Sequence, residues 1–441
     1  MRMPHALSAV AASVLLTTCP VALASEAAPA VDAQAISEAY VYLLGRTLVL
    51  RQQRIDLSEG MGWNNLVHRK PGAVDWPNPN LDVAYSEAWL ALDEHSCTLL
   101  GVPKVQGRYY TAQVLNGWGE TLANVNERTY PERPDGQFAF CLKDAQVKLP
   151  ADVRRIDLPV RSARLLTRVE LGADPQGAER LQRAFTLQPT GKPALPQVPS
   201  VADFAWPKLP GVEIFDGAEA ALAEPDINPG MAPLQAKVRA VAAAIGDPQQ
   251  RQRIDQIIRS RAYADLAKAS PTLGGGTQRN GWSRPPVSGT YGSNYLTRTL
   301  VNYGGIWANT RNEVSYFRGA LDADGKPLDG GASYSLTFPA DQLPASQAEY
   351  FWSITATDAK SFRVLPNPLQ RFLLNNHSPL TYNADGSLTL YFAPQKPAGA
   401  PEGNWLPTRA DLPYRLVFRY YGAKGAVADG SYFPPAIVKG S

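Results

Sequence analysis

Residues 80–92 read Asn80-Leu81-Asp82-Val83-Ala84-Tyr85-Ser86-Glu87-Ala88-Trp89-Leu90-Ala91-Leu92. The Asn-x-Asp opening is turn chemistry, because both side-chain types hydrogen-bond back to nearby backbone. The apolar and aromatic run after it predicts a strand over 83–92. Side chains alternate in direction along a strand, so Asp82, Ala84 and Ser86 share one face and Val83, Tyr85 and Glu87 the other. The same reading extends outward to strands over 108–115, 137–142, 156–158 and 163–171, separated by Gly, Pro and Asn turns. A second group follows over 334–338, 350–356, 388–392 and 414–421, punctuated by Asp324-Gly325, Asp329-Gly330-Gly331 and the turn of residues 383–386.

Helical periodicity is confined to fewer places. Asp32 caps a first helix whose Ile36, Tyr40, Leu43, Leu44 and Leu48 recur at helical spacing through about Arg54. Asp174-Pro175 opens a short helix through about Leu187. Helices over 234–245 and from Asp247-Pro248 onward follow, the latter with an apolar stripe of Ile254, Ile257, Ile258, Ala262 and Leu266 that reads as core packing. Prolines crowd residues 189–230, residues 270–292 form a Gly/Pro/Ser loop, and the β alternation resumes from about Asn302. The expected fold is therefore mainly β with α: two antiparallel β-sandwich or jelly-roll-like modules, over 32–190 and 293–424, joined by a Pro-rich connector and helical segment over 191–292. No repeat of fixed period is present.

The start of the chain reads as an export signal over residues 1–24. Arg2 precedes an apolar run over 6–16, and Ala22-Leu23-Ala24 supplies the small-x-small cleavage pattern, so the mature chain should begin near Ser25 in the periplasm or outside the cell. The run is too short to span a bilayer, and no later segment is apolar and long enough to do so. Cys19 follows Thr17-Thr18, without the small residue that a lipid-attachment site wants before its cysteine. With the signal gone, Cys97 and Cys141 remain as an even pair in an oxidising compartment. Bridging them would contribute about 4 kcal/mol by the chain-entropy estimate. A composition of 44% hydrophobic and 19% charged residues is that of an ordinary globular protein. The net charge of +3 comes without any block of like charge, so no nucleic-acid footprint is indicated.

Several pieces together resemble a pair of families. Asp322–Gly330 (DADGKPLDG), Leu343-Pro344, Phe351-Trp352-Ser353, Asn367-Pro368 with Arg371, the NADGSL of residues 383–388, the NWLP of residues 404–407 and Phe418-Arg419-Tyr420-Tyr421 stand in the order seen in the DUF1214 family. The segment from Asn80 to Leu90, with Gly107-Arg108-Tyr109-Tyr110 and residues 165–168, is similar to the DUF1254 family. Here Val83 stands where that family usually has Thr, and Asn116 where Asp is common. The resemblance implies an exported bacterial protein with two β-sandwich-like halves, and it supplies no catalytic residue.

Chemistry must therefore be read from the residues. After the signal, His68, His95 and His377 lie far apart without metal-ligand spacing, and no nucleophile elbow, phosphate loop or dinucleotide fingerprint occurs, so no metal or cofactor is implied. Carboxylates remain as the acid–base option. Asp82 is the candidate catalytic group, flanked by Asn80 and Ser86; hydrolysis of a sugar would need a second carboxylate at about 5–10 Å, for which Asp358 is the candidate. The competing reading makes Asn80 and Asp82 a turn knot. Trp63, Trp76, Trp89, Trp118, Tyr109 and Tyr110 crowd the N-terminal module, and Trp63 and Trp76 sit on its polar loop. Two functional classes stand on these residues. In the first, a small organic or glycan ligand is bound or processed among Asn64, Trp76, Asn80, Asp82, Tyr85 and Ser86, with the C-terminal module closing over it. In the second, a non-catalytic envelope protein uses its sandwiches for assembly or partner binding, as a homo-oligomer or with another chain.

Overall fold

The alternating stretch after Asp82 folds as a strand, and the chain around it stacks two sheets on each other. This computed structural model describes residues 31–205 and 208–440; the export signal expected over 1–24 lies outside the described residues. The N-terminal strands are β1 (Val67–His68), β2 (Val83–Ala91), β3 (Cys97–Val102), β4 (Tyr110–Leu115), β5 (Thr121–Val125), β6 (Gly136–Leu142), β7 (Arg154–Leu158), β8 (Ser162–Glu170) and β9 (Thr186–Pro189). They form a five-stranded sheet in the order β1-β2-β8-β4-β5 and a four-stranded sheet in the order β7-β6-β3-β9. Ala88 and Leu90 of β2, Leu165 of β8, Leu100 of β3 and Phe138 and Phe140 of β6 share one core between the sheets, which makes this half a sandwich.

The second half repeats the principle. Its strands are β10 (Thr277–Arg279), β11 (Trp282–Arg284), β12 (Val314–Gly319), β13 (Tyr334–Phe338), β14 (Ala348–Asp358), β15 (Leu373–Asn375), β16 (Leu388–Ala393), β17 (Trp405–Pro407), β18 (Tyr414–Ala423) and β19 (Val438–Lys439). A six-stranded sheet, β10-β11-β12-β18-β14-β15, packs on a four-stranded one, β17-β16-β13-β19, through Phe317, Leu336, Phe338, Trp352, Leu390 and Phe418. The expected mainly-β fold with two sandwich-like halves is what the chain adopts. Pairing is antiparallel apart from two ladders, β6 with β7 and β16 with β17, which run parallel.

The helices are α1 (Ala33–Ser58), α2 (Pro175–Ala184), α3 (Ala218–Leu222), α4 (Ala232–Ala244), α5 (Pro248–Ile257), α6 (Tyr263–Ala269), α7 (Tyr295–Gly304) and α8 (Gly425–Asp429). Three expected caps form: Asp32, Asp174 and Asp247 accept from the amides of Ala35, Gly177 and Gln250. α1 departs from its expected one-sided stripe. It is buried almost all round from Ile36 to Leu50, because α4, α5 and α7 wrap it, and Tyr40 and Leu44 share a core with Val238, Ile254, Ile258 and Leu300. Even Arg46 is inside, paired with Glu224 at 3.0 Å. The stretch expected as loop and returning β alternation instead contains the β10–β11 hairpin and α7, which runs through Asn302. Among the described residues no helix is long and apolar enough to cross a membrane.

Cys97 and Cys141 face each other across β3 and β6, 4.4 Å apart at Cα, and form a disulfide. Replacing both by Ser should lower the unfolding free energy by about 4 kcal/mol, read from urea unfolding of the oxidised protein. An unfolding curve unmoved by the double substitution would contradict a stabilising bridge.

Candidate ligand-binding cavity

The two sandwiches meet along faces that would otherwise be wet. On β2 the even-numbered side chains enter the N-terminal core, which leaves Val83, Tyr85 and Glu87 pointing outward. Register pairs Tyr85 with Arg168 and Glu87 with Leu166 of β8, so these four lie on one surface. On the other module Phe317, Leu416, Phe418 and Tyr420 point into the core. The alternate residues Tyr316, Arg318, Arg415, Val417 and Arg419 therefore face out, with Tyr316 opposite Arg419 and Arg318 opposite Val417. Between the two surfaces lies a cavity of about 440 Å³, walled further by residues 69–73 and 76–80 and by the C-terminal end of α7.

Beside the cavity the modules are joined through a buried carboxylate. Glu313 is buried and accepts from Tyr109 Oη at 2.9 Å, Asn126 Nδ2 at 3.0 Å and Arg128 Nη2 at 2.6 Å. Phe351 and Tyr421 stack at 4.0 Å, and Tyr109 meets Tyr421 edge-on at 5.0 Å. Burying a carboxylate this well among three donors and an aromatic cluster joins the modules in a fixed arrangement.

The electrostatics of the cavity are one-sided. Among its described lining residues six are cationic (Arg69, Lys70, Arg168, Arg318, Arg415 and Arg419) and one, Glu87, is anionic. Glu87 is engaged by Arg164 at 2.6 Å and Arg69 at 3.1 Å. The four arginines on the sheets have neutral partners instead. Arg168 donates to Gln113 Oε1 at 2.6 Å and the Trp307 carbonyl at 3.1 Å. Arg419 donates to Thr355 Oγ1 at 3.1 Å and the Asn78 carbonyl at 3.0 Å. Arg318 reaches the Pro271 carbonyl at 2.6 Å, and Arg415 reaches Asn78 Oδ1 at 3.2 Å while lying over the Phe362 ring. Burial pulls the Arg318 guanidinium down to about 10. Burial and the nearby Arg318 charge pull Arg415 down to about 9, with Asp358 opposing.

Of the residues singled out in the sequence, Trp76, Asn80 and Tyr85 line this cavity, and Trp76 is exposed at its mouth. Asn80 also ties the expected turn, accepting from the Asp82 amide at 3.0 Å, and its amide group donates to Tyr421 Oη across the modules. Asp82 and Ser86 belong to the opposite parity of β2 and do not line the cavity. Asp82 is buried, and its Oδ1 accepts from Asn375 Nδ2 of the other module at 3.0 Å. Burial raises its carboxyl above the ordinary range, with Ser353 and Asn375 opposing. Ser86 Oγ bonds His68 Nδ1 at 2.8 Å. Asn64 brackets the end of β2, accepting from the Ala91 amide at 3.0 Å and donating to its carbonyl at 3.1 Å. Trp63 packs beside Trp89 and does not itself line the cavity. Asp358 closes its own turn on the amides of Lys360 and Ser361, so it does not form a pair with Asp82.

The arginines, Tyr316, Asn78 and the turn after α7 also line the cavity and do not stand out in the sequence. Asn78 sits in the left-handed region at φ 48° and links three parts of the wall: its amide group donates to the Gly304 carbonyl, its Oδ1 accepts from Arg415, and its backbone N–H donates to Phe362 O at 2.7 Å. Ile306 and Trp307 are consecutive left-handed residues at φ 46° and 53°. A β-branched residue there is costly, and such strain concentrates at functional sites. The legible signal was parity in Tyr414-Arg415-Leu416-Val417-Phe418-Arg419-Tyr420-Tyr421, where arginines alternate with core residues.

Comparison with known proteins fits this two-part layout. A family model described as a protein of unknown function (DUF1254) matches residues 63–189, and another of that description (DUF1214) matches residues 313–425. The VPA0106 protein of Vibrio parahaemolyticus has a similar solved structure, with a TM-score of 0.60 at 19% identity over 93% of this chain and 100% of that one. An uncharacterized protein from Burkholderia cenocepacia gives a TM-score of 0.46 at 14% identity over 91% of this chain and 87% of that one. The first likeness shows the shared fold. No curated protein matches the sequence.

The placement of Asp82 has a measurable consequence. A carboxyl whose folded-state pKa is raised destabilises the folded protein as pH rises through that pKa, and costs nothing below the unfolded value. Asp82→Asn keeps an acceptor for Asn375 and removes the charge. It should therefore raise the melting temperature at neutral pH, with the gain vanishing on acidification below the ordinary carboxylate range. A variant less stable than wild type at neutral pH would contradict this account of the buried carboxyl.

Proposed function

We propose, from the premise that this chain belongs to the proteins joining a DUF1254 domain to a DUF1214 domain, that it is an exported protein holding a small organic ligand between its modules. The observation that carries the reading is the 440 Å³ cavity, which falls in the size range of small-molecule sites. Its walls suit such a ligand: Tyr85, Tyr303, Trp307, Tyr316 and Phe362 offer rings around a few polar groups, and Trp76 stands at the entrance. The reading is one of binding. The carboxylate on the described wall is already held by two guanidinium groups, and Asp82, His68 and His377 are engaged elsewhere.

Screening mature protein against small metabolites by thermal shift should find ligands that raise the melting temperature. Val417→Trp, which fills the cavity from β18, should abolish the shift. Trp76→Ala should weaken binding by on the order of fivefold. A ligand whose affinity ignores both substitutions would place binding outside the cavity and overturn the proposal.

Export is supported by the charged start, the apolar run and the Ala22-Leu23-Ala24 pattern, and by a disulfide suited to an oxidising compartment. Amino-terminal sequencing of protein from the periplasmic fraction should begin near Ser25. Recovery of the uncleaved chain in the cytosol would contradict it.

A further inference from the structure

Three polar groups on the cavity wall are buried and lack a hydrogen-bond partner: Arg318 Nε, Arg415 Nε and Trp307 Nε1. All three are donors, and none of the other described lining residues has a buried side-chain acceptor without a partner. Leaving a buried donor unpaired is costly, and more so for a charged one. The cost is compounded by placement. Arg318 is opposite Val417 in the β12–β18 ladder, and Arg415 is two residues from Val417 on the same face, so two guanidinium groups sit as near neighbours. Elsewhere the chain neutralises its buried arginines with carboxylates. Arg298 pairs with Asp226 at 2.9 Å and Glu120 at 3.2 Å, and Arg164 pairs with Asp56 at 2.9 Å and Glu87 at 2.6 Å. The cavity pair has no such partner among the described residues.

Resting on the reading that the cavity is a binding site, we infer that its occupant is a small organic oxyanion with an apolar body, whose oxygens accept from Arg318 and Arg415. The group is a carboxylate, or a phosphate ester presenting the same acceptor edge. The guanidinium fork matches both, and a charge-assisted bond is among the stronger polar contacts. The aromatic wall takes the remainder of the ligand, and Trp307 Nε1 offers one further donor. Arg69 and Lys70, on the loop that also carries Trp76, add positive charge along the wall.

Calorimetry on the mature, disulfide-bonded protein with 2-naphthoate, 2-naphthyl phosphate and the neutral isostere 2-naphthamide tests this. At least one anion should bind at least about tenfold more tightly than the amide, and the stronger of the two identifies the headgroup. Arg415→Gln and Arg318→Gln should each remove most of that preference. Both variants should melt no lower than wild type without ligand, because each relieves a crowded pair of like charges. Equal binding of amide and anions, unchanged in the variants, overturns the oxyanion inference and leaves the small-molecule reading standing. Silence from both anions also overturns it, and the wider thermal-shift screen then judges that reading separately.

Discussion

The structure depends on what happens when two sheet faces that should meet water meet each other instead. β2 and β8 give their apolar residues to one sandwich, β12 and β18 give theirs to another, and the leftover polar faces are pressed together. Such a contact is stable only where its charges are neutralised. Around Glu313 they are: one carboxylate faces Arg128, Asn126 and Tyr109, and the surrounding rings exclude water. In the cavity they are not, and the excess is all of one sign. The same module contact thus yields a neutralised joint and an open, electropositive space.

The helices make that arrangement possible from behind. α1 is enclosed by the connector helices, and Asn302 on α7 donates to the Gly45 carbonyl at 3.0 Å and to the Trp118 carbonyl at 3.2 Å. α7 is held from two sides in this way, and its C-terminal end delivers Tyr303, Ile306 and Trp307 to the cavity. The left-handed pair at Ile306 and Trp307 is tolerated because Arg168 bonds the Trp307 carbonyl and the Trp307 ring packs under Arg164 and against Trp89. A strained turn fixed by this many neighbours presents its side chains with little freedom.

Much of the fold was legible. Alternation and turn residues located β2, β4, β6, β8, β13, β16 and β18 to within a few residues, and the three aspartate caps marked helix starts. Less legible were elements whose reason is tertiary. The β10–β11 hairpin is short and mostly polar, and α7 carries buried Thr and Asn that bond to α1 and would otherwise argue against a buried helix. At the site, the alternation of β2 is legible, but the face bearing Asp82 and Ser86 is not the one that meets the cavity. Ala88 and Leu90 share that face and draw it into the sandwich. The residues that reached the cavity were those a single strand presents as an ordinary solvated face. Nothing local to Arg318 or Arg415 says that another module will cover it.

Everything turns on the open space between the modules and its unneutralised guanidinium groups. The most direct measurement is anomalous diffraction from a crystal of the mature protein soaked in bromide. A bromide ion should lie in contact with the guanidinium groups of Arg318 and Arg415. A collapsed cleft in which those groups pair with protein carboxylates such as Asp358, with bromide only on the outer surface, would contradict it.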